Sequence, residues 1–182
     1  TSECPTGQGE YMQKDIKYCQ QCGGLMIEKD LDNKPRLYCA ICDRMVFLDP
    51  KVVAVVLVSS GDTLVMVQRA IEPHIDSWSF PSGYVDRGET VEAAARREVK
   101  EETSLDIKLD GFVGLYSKTG SAVILAAYAA NVVGGVCAPG PEVQEVALFP
   151  VDKLPPLPFP HDDKIIQDWK DFKSGKPREL AE

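Results

Sequence analysis

No stretch of this chain approaches the ~18 consecutive apolar residues that a membrane-crossing helix needs. Its longest apolar runs, residues 52–58 and 122–130, have the length of strands. The opening TSECPTGQGE lacks the charged-then-apolar pattern of a signal peptide. Positive charge is also short. Lys and Arg total 20 against 28 Asp and Glu, which leaves a net charge of −8 and a pI near 4.9. Such a chain is a poor partner for bare nucleic acid or an anionic membrane, so neither is expected. If it handles phosphates, a metal ion has to carry the positive charge. Histidine is scarce: His74 and His161, each beside a proline, lack metal-ligand spacing and are assigned no role. There is no internal repeat.

What is present suits an ordinary globular chain. Its 182 residues are 44% hydrophobic and 26% charged. That is room for one domain plus a small module, and a domain of this size buries roughly 70% of its unfolded surface without disulfide staples. Six cysteines are nevertheless present. Cys19-x2-Cys22 and Cys39-x2-Cys42 are separated by 16 residues, which fits the paired-knuckle pattern of a zinc site. Four thiolates around Zn²⁺ close a tetrahedral, structural site with no open position for substrate. Cys4 and Cys137 are left over. A zinc site and free thiols together point to a reducing compartment, here the cytoplasm. Residues 15–48 hold five basic and five acidic side chains, so four thiolates and one divalent zinc bring the module to −2. Nucleic-acid-gripping ribbons are basic, which favours a structural or dimerisation role here.

The chain reads as a loose polar tail over 1–14, a zinc ribbon over 15–48 and a second domain over 49–182, with Asp49-Pro50 as the break. Within the ribbon, residues 25–27 and 36–38 are expected as strands around a turn at 32–35. A Val-rich hairpin follows over 51–59 and 63–69. Residues 70–89 read as an irregular loop rich in Pro, Gly and Ser, with Trp78 and Phe80 in a short extended piece. Thr90 and Glu92 mark the start of a helix over 90–102. Residues 105–133 read as strands alternating with glycine turns, 143–149 as another strand, and Asp162–Lys173 as a last helix with Ile165, Trp169 and Phe172 on one face.

Glu98, Glu101 and Glu102 stand out. At about 100° per residue, Glu101 and Glu102 flank Glu98 on one helix face, with Cβ atoms about 5–6 Å apart. Two carboxylates so placed repel by roughly 3 kcal/mol at an effective dielectric of 20. A hard divalent cation such as Mg²⁺ or Mn²⁺ reverses the sign of that interaction. The surrounding pattern is Gly83-x5-Glu89-x7-Arg97-Glu98-Val99-x-Glu101-Glu102-x-Ser104-Leu105.

This pattern resembles the Nudix box, the signature of hydrolases that cleave nucleoside diphosphates linked to another group. Ser104 stands where that family usually has Gly. The resemblance implies an α/β fold: an α/β/α sandwich on a mixed sheet, preceded here by the zinc ribbon. It implies Glu98, Glu101 and Glu102 as Mg²⁺ ligands, joined by the backbone carbonyl of Ser82. It implies Glu89 and Arg97 as a supporting ion pair. A further carboxylate, Glu142 or Glu145, would hold a metal or act as base. A ribbon ahead of such a domain is similar to NADH pyrophosphatases, and more closely to shorter proteins that include plastid FAD pyrophosphatases. The S-Q-P-W-P-F-P-like motif of the NADH enzymes is absent: Leu115-Tyr116-Ser117-Lys118-Thr119 stands in its place. FAD or ADP-ribose is therefore the expected substrate class, with NADH behind them. Tyr84, Tyr116 and Phe159 are the candidates for stacking a base or flavin. Other readings are a triphosphate-sanitising or RNA-decapping enzyme, or a non-catalytic nucleotide sensor. A homodimer is a family expectation.

Overall fold

The computed structural model describes residues 16–176, so the expected tail over 1–14 lies outside the described residues. The chain divides into two compact units. Among the described residues, one holds 16–50 together with Lys118–Val123, and the other holds Lys51–Ser117 and 124–176.

The first unit is built on an antiparallel sheet of β1 (Met26–Leu31), β2 (Lys34–Cys39) and β3 (Arg44–Val46), in that order. Leu31 pairs with Lys34, so the hairpin turn is the two residues Asp32 and Asn33. Both have positive φ, 54° and 60°, as a primed hairpin turn requires, and Asn and Asp tolerate that region best among non-glycine residues. Strand β3 was not expected; three residues between a knuckle and a proline carry too little periodicity to be read. Leu37, Cys19 and Cys39 form the small buried interior.

The second unit is a seven-stranded mixed sheet between two helices. Its elements are β4 (Lys51–Ser60), β5 (Thr63–Arg69), β6 (Trp78–Ser79), β7 (Ser82–Tyr84), α1 (Val91–Thr103), β8 (Leu105–Ser117), β9 (Val123–Gly135), β10 (Val143–Pro150) and α2 (Asp162–Lys173). The main order is β10-β5-β4-β9-β8, with β6 added to β5 and β7 to β4. Strand side chains alternate between faces, and both faces are covered here. Ala54, Val56 and Val58 of β4, with Ala126, Tyr128 and Ala130 of β9, pack against Ala94, Ala95 and Val99 of α1. Val55 and Leu57, with Ala127 and Ala129, pack on the other face against Ile165 and Trp169 of α2. This is the α/β/α sandwich that the resemblance implied. Small alanines on β9 let both helices approach the sheet.

Two expectations are corrected. Residues 105–117 are one strand, not strands broken by glycine turns: Gly111 and Gly114 mark shifts of register against β9. Gly111 leaves room for the ring of Phe172, which a methyl group there would meet at 2.8 Å. In the loop over 70–89 the extended piece expected at Trp78 is β6, paired with β5, but β7, paired with β4, was not expected. Strands of two and three residues are too short for a period to show. No helix among the described residues is long and apolar enough to cross a membrane.

Ile165 is fully buried and Leu115 is 57% exposed. Ile165→Ala is expected to lower unfolding free energy by about 2–5 kcal/mol, and Leu115→Ala by less than about 0.5 kcal/mol. Urea unfolding of both variants checks how α2 is held.

Candidate active site

Helix α1 carries the site, and its ends are well defined. Thr90 caps it: its backbone is extended and its hydroxyl accepts the Ala93 N–H at 3.2 Å. Glu92 stands at the positive N-terminus and Lys100 in the last turn. Ser104 ends the helix in the left-handed region, φ 60°, and its N–H reaches the Lys100 carbonyl. Serine therefore occupies the conformation that glycine usually takes at this position. Glu98 and Glu102 follow buried Ala94 at four-residue spacing and so continue the helix face that is turned inward, while Glu101 stands at its exposed edge.

Strand β7 supplies the second wall. A methyl group built on Gly83 would overlap the carboxylate of Glu98, so only glycine lets that carboxylate lie against the strand. The N–H of Ser82, one residue earlier, donates to Glu102 Oε2 at 3.0 Å. Arg97 braces the group from the side. Its Nε and Nη2 grip both oxygens of Glu89 at 3.0 and 2.9 Å, and Nη2 also donates to the Tyr84 carbonyl. Its Nη1 donates to Glu98 Oε1 at 2.6 Å and Glu101 Oε2 at 3.1 Å. One guanidinium thus organises three of the expected carboxylates.

Burial separates the three helix glutamates. The Glu98 side chain is 14% exposed and that of Glu101 is 58% exposed. Loss of water pushes the Glu98 carboxyl up, partly offset by Arg97, with the charges of Glu101 and Glu142 adding to the rise. Glu102 goes further. Burial lifts it to about 8, against the Ser82 N–H that favours its charge; Glu98 and Glu142 raise it and Arg69 lowers it. The Arg97 guanidinium holds Glu89 below the usual carboxylate range. The site is thus a carboxylate cluster short of positive charge, which fits a divalent cation with oxygen ligands.

Of the two downstream candidates, Glu142 lies two residues beyond Gly140, whose N–H donates to the Glu102 carbonyl at 3.1 Å, and the Glu142 carbonyl accepts the Ala70 N–H at 3.0 Å. Glu145 lies exposed on β10, opposite Gln68. The aromatic candidates also part. Tyr84 is 51% exposed on β7, with Lys51 Nζ 4.8 Å from its ring centre. Phe159 is half-buried, flanked by Arg69 at 5.5 Å and by His74 edge-on at 5.2 Å. Tyr116 is a correction: it is buried, its hydroxyl donates to Asp168 at 2.9 Å, and its ring has no open face for a base. Alternation along β8 turns it toward α2. Sequence reasoning had given no role to Arg69, whose charge reaches Glu102; its place at the end of β5, level with the box loop, was the available signal. Nor was buried Asp162 anticipated, whose carboxylate accepts the Phe159 N–H at 2.8 Å.

In the first unit, one Sγ from each of Cys19, Cys22, Cys39 and Cys42 lies within 4.8 Å of the others. Backbone N–H groups of Gly24 and Cys42 point at the sulfurs of Cys22 and Cys39, each at 3.4 Å. Backbone N–H groups of Gln21 and Cys22 lower Cys19 to about 7, while its sulfur neighbours raise Cys42 to about 12. The cluster can hold a metal ion. Cys137 is free and exposed, and Cys4 lies outside the described residues.

A pH dependence follows from Glu102. Between its ordinary 4.5 and about 8 the folded, metal-free chain binds a proton there that the unfolded chain releases. The metal-free fold therefore loses stability as pH rises through that window. A divalent cation needs the ionised form, so its stabilising effect grows over the same window. Millimolar Mg²⁺ should raise the melting temperature more at about pH 8.5 than at about pH 6. Glu102→Gln should flatten that difference. An equal shift at both pH values would contradict the assignment.

Comparison with known proteins agrees with this geometry. The family model described as NUDIX domain matches residues 48–169. The chain is 33% identical over 133 residues to the ADP-ribose pyrophosphatase of Methanocaldococcus jannaschii, covering 71% of this chain and 78% of that protein. It is 30% identical over 146 residues to the NAD-capped RNA hydrolase NudC of Stutzerimonas stutzeri, covering 78% of this chain and 51% of that protein. It thus spans about half the length of that second relative. A solved NUDIX hydrolase from Nitrosomonas europaea aligns with a TM-score of 0.83 at 25% identity, over 91% of this chain and 97% of that one. Residues 48–169 contain Gly83, Glu89, Arg97, Glu98, Glu101 and Glu102, and the chain belongs to the NUDIX hydrolase family.

Proposed function

We propose that this NUDIX hydrolase is a divalent-metal-dependent pyrophosphatase. Its substrate would be a nucleoside diphosphate-linked compound of the ADP-ribose, FAD or NADH class, cut to AMP and a second phosphate. The observation that carries the reading is the pairing of Glu98 and Glu102 against Gly83 and Ser82, where two poorly hydrated carboxylates have as ion-pair partner among the described residues only Arg97, on Glu98, and Arg97 also serves Glu89 and Glu101. Mg²⁺ or Mn²⁺ held by Glu98, Glu101, Glu102 and the Ser82 carbonyl would neutralise diphosphate charge and acidify water.

The chain's own residues do the rest. Water adds its oxygen to one phosphorus as the bridging P–O bond breaks. The bridging oxygen leaves with the second phosphate, and the proton passes to a carboxylate, Glu98 or Glu142. Arg97 and Glu89 hold the ligand side chains in place. Tyr84 and Phe159 offer ring faces for the base or flavin. The M. jannaschii relative favours ADP-ribose, and the NudC relatives favour a second reading in which NAD-capped RNA is cut.

The cysteine cluster would hold Zn²⁺ as a structural ribbon. Zn–S bonds near 2.3 Å set neighbouring sulfurs about 3.8 Å apart in a tetrahedron. The 3.6 Å separation of Cys22 and Cys39 suits that spacing. Retained thiolates fit a reducing compartment such as the cytoplasm.

Purified protein with Mg²⁺ or Mn²⁺ should release AMP from at least one of ADP-ribose, FAD, NADH, NAD and NAD-capped RNA, with nucleoside triphosphates and diadenosine polyphosphates as comparisons. Glu98→Gln and Glu102→Gln are each expected to cut turnover by about 10²–10⁴-fold with the fold retained. Silence across the panel would sink the reading. Elemental analysis should find zinc equimolar with the chain, and Cys39→Ser should lose it.

A further inference from the structure

Residues 136–142 leave β9 and return to β10, and on the way they cross the C-terminal end of α1. The last carbonyls of a helix lack intrahelical partners. Here two of them are met by this loop: the Ala138 N–H donates to the Thr103 carbonyl at 3.0 Å, and the Gly140 N–H to the Glu102 carbonyl at 3.1 Å. Gly140 sits so close that a methyl group on it would overlap the Glu101 carbonyl oxygen and lie 2.9 Å from the carbonyl carbon. Beyond Gly140 the loop is tied down again. The Glu142 carbonyl accepts the Ala70 N–H at 3.0 Å, and Gln144 Nε2 donates to the Arg69 carbonyl and to Asp76. Pro139 and Pro141 flank the glycine and fix their own φ, which stiffens the segment.

We infer that Gly140 is a positioning residue: by docking without a side chain on the carbonyl end of α1, it fixes where the loop carrying Glu142, two residues on, meets the helix that bears Glu98 and Glu102. This rests on the metal-dependent reading above. The same helix presents Glu98, Glu101 and Glu102 on its side and seats the Glu142 loop on its end, so four carboxylates are placed by one rigid element. Gly140 offers no side chain to a metal or a substrate, so the role assigned to it is exerted through the loop that carries Glu142. Any side chain there meets the Glu101 carbonyl, lifts the loop off the helix and moves Glu142 with it.

The test is a double-mutant cycle read by Mn²⁺ binding, with free Mn²⁺ followed by electron paramagnetic resonance, and by turnover of the panel compound cleaved fastest. Gly140→Ala and Glu142→Gln are each expected to weaken Mn²⁺ binding by about 10-fold, and the double variant by no more than Glu142→Gln alone. Turnover should follow the same non-additive pattern, mainly in kcat. If Gly140→Ala fails to fold by circular dichroism, a glycine inserted between Gly140 and Pro141 lengthens the connection without adding a Cβ and should give the same loss. Multiplicative losses in the double variant, or unchanged Mn²⁺ binding in folded Gly140→Ala, would overturn the inference. Unchanged binding in Glu142→Gln beside loss in Glu98→Gln would overturn it while leaving the metal-dependent reading intact. No Mn²⁺ affinity in the parent protein would overturn both.

Discussion

Two carboxylates, Glu98 and Glu102, share a poorly hydrated seam between a helix and a strand, and the rest of the catalytic unit is arranged around that repulsion. Burial alone would neutralise Glu102 at ordinary pH. The chain does not remove the conflict by pairing each acid with its own base. Arg97 spends two nitrogens on Glu89 and one on Glu98 and Glu101, and Glu102 receives only a backbone N–H and the distant help of Arg69. The remaining deficit is what a divalent cation would fill. An arrangement that costs stability in the empty protein is one that can bind and orient an anionic substrate through a metal.

Such a seam needs rigid walls, and the sandwich provides them. Helix α1 is locked to the sheet through Ala94, Ala95 and Val99, all fully buried, and small alanines on β9 draw it close. Strand β7 is only three residues long, yet it is hydrogen-bonded to β4, so Ser82 and Gly83 face the helix from a fixed backbone. The thin wall matters: glycine at position 83 brings the strand near enough for Glu98 to lie on it. The other face of the sheet carries Tyr116, Ile165 and Trp169 and serves stability rather than chemistry.

The helix, its Thr90 cap, the hairpin and the box carboxylates were all legible in the residues, because local propensity and period report them directly. So was the cysteine pattern, whose four sulfurs do converge. What escaped the sequence depends on packing between distant segments. Tyr116 and Tyr84 look alike as aromatic residues near glycines, but alternation along different strands buries one and exposes the other. Glu142 and Glu145 differ by three positions, and only the docking of their loop on α1 distinguishes them. Gly140 needs no unusual φ; its reason is a neighbour about 40 residues back in the chain, which no local pattern encodes.

The central claim is that a divalent cation sits between Glu98 and Glu102. Crystals soaked in Mn²⁺ and measured for anomalous scattering test it most directly. A peak within about 2.0–2.4 Å of carboxylate oxygens from both residues is the predicted result. Clear density for the site with no peak there, or peaks only at exposed acidic side chains elsewhere, would contradict it.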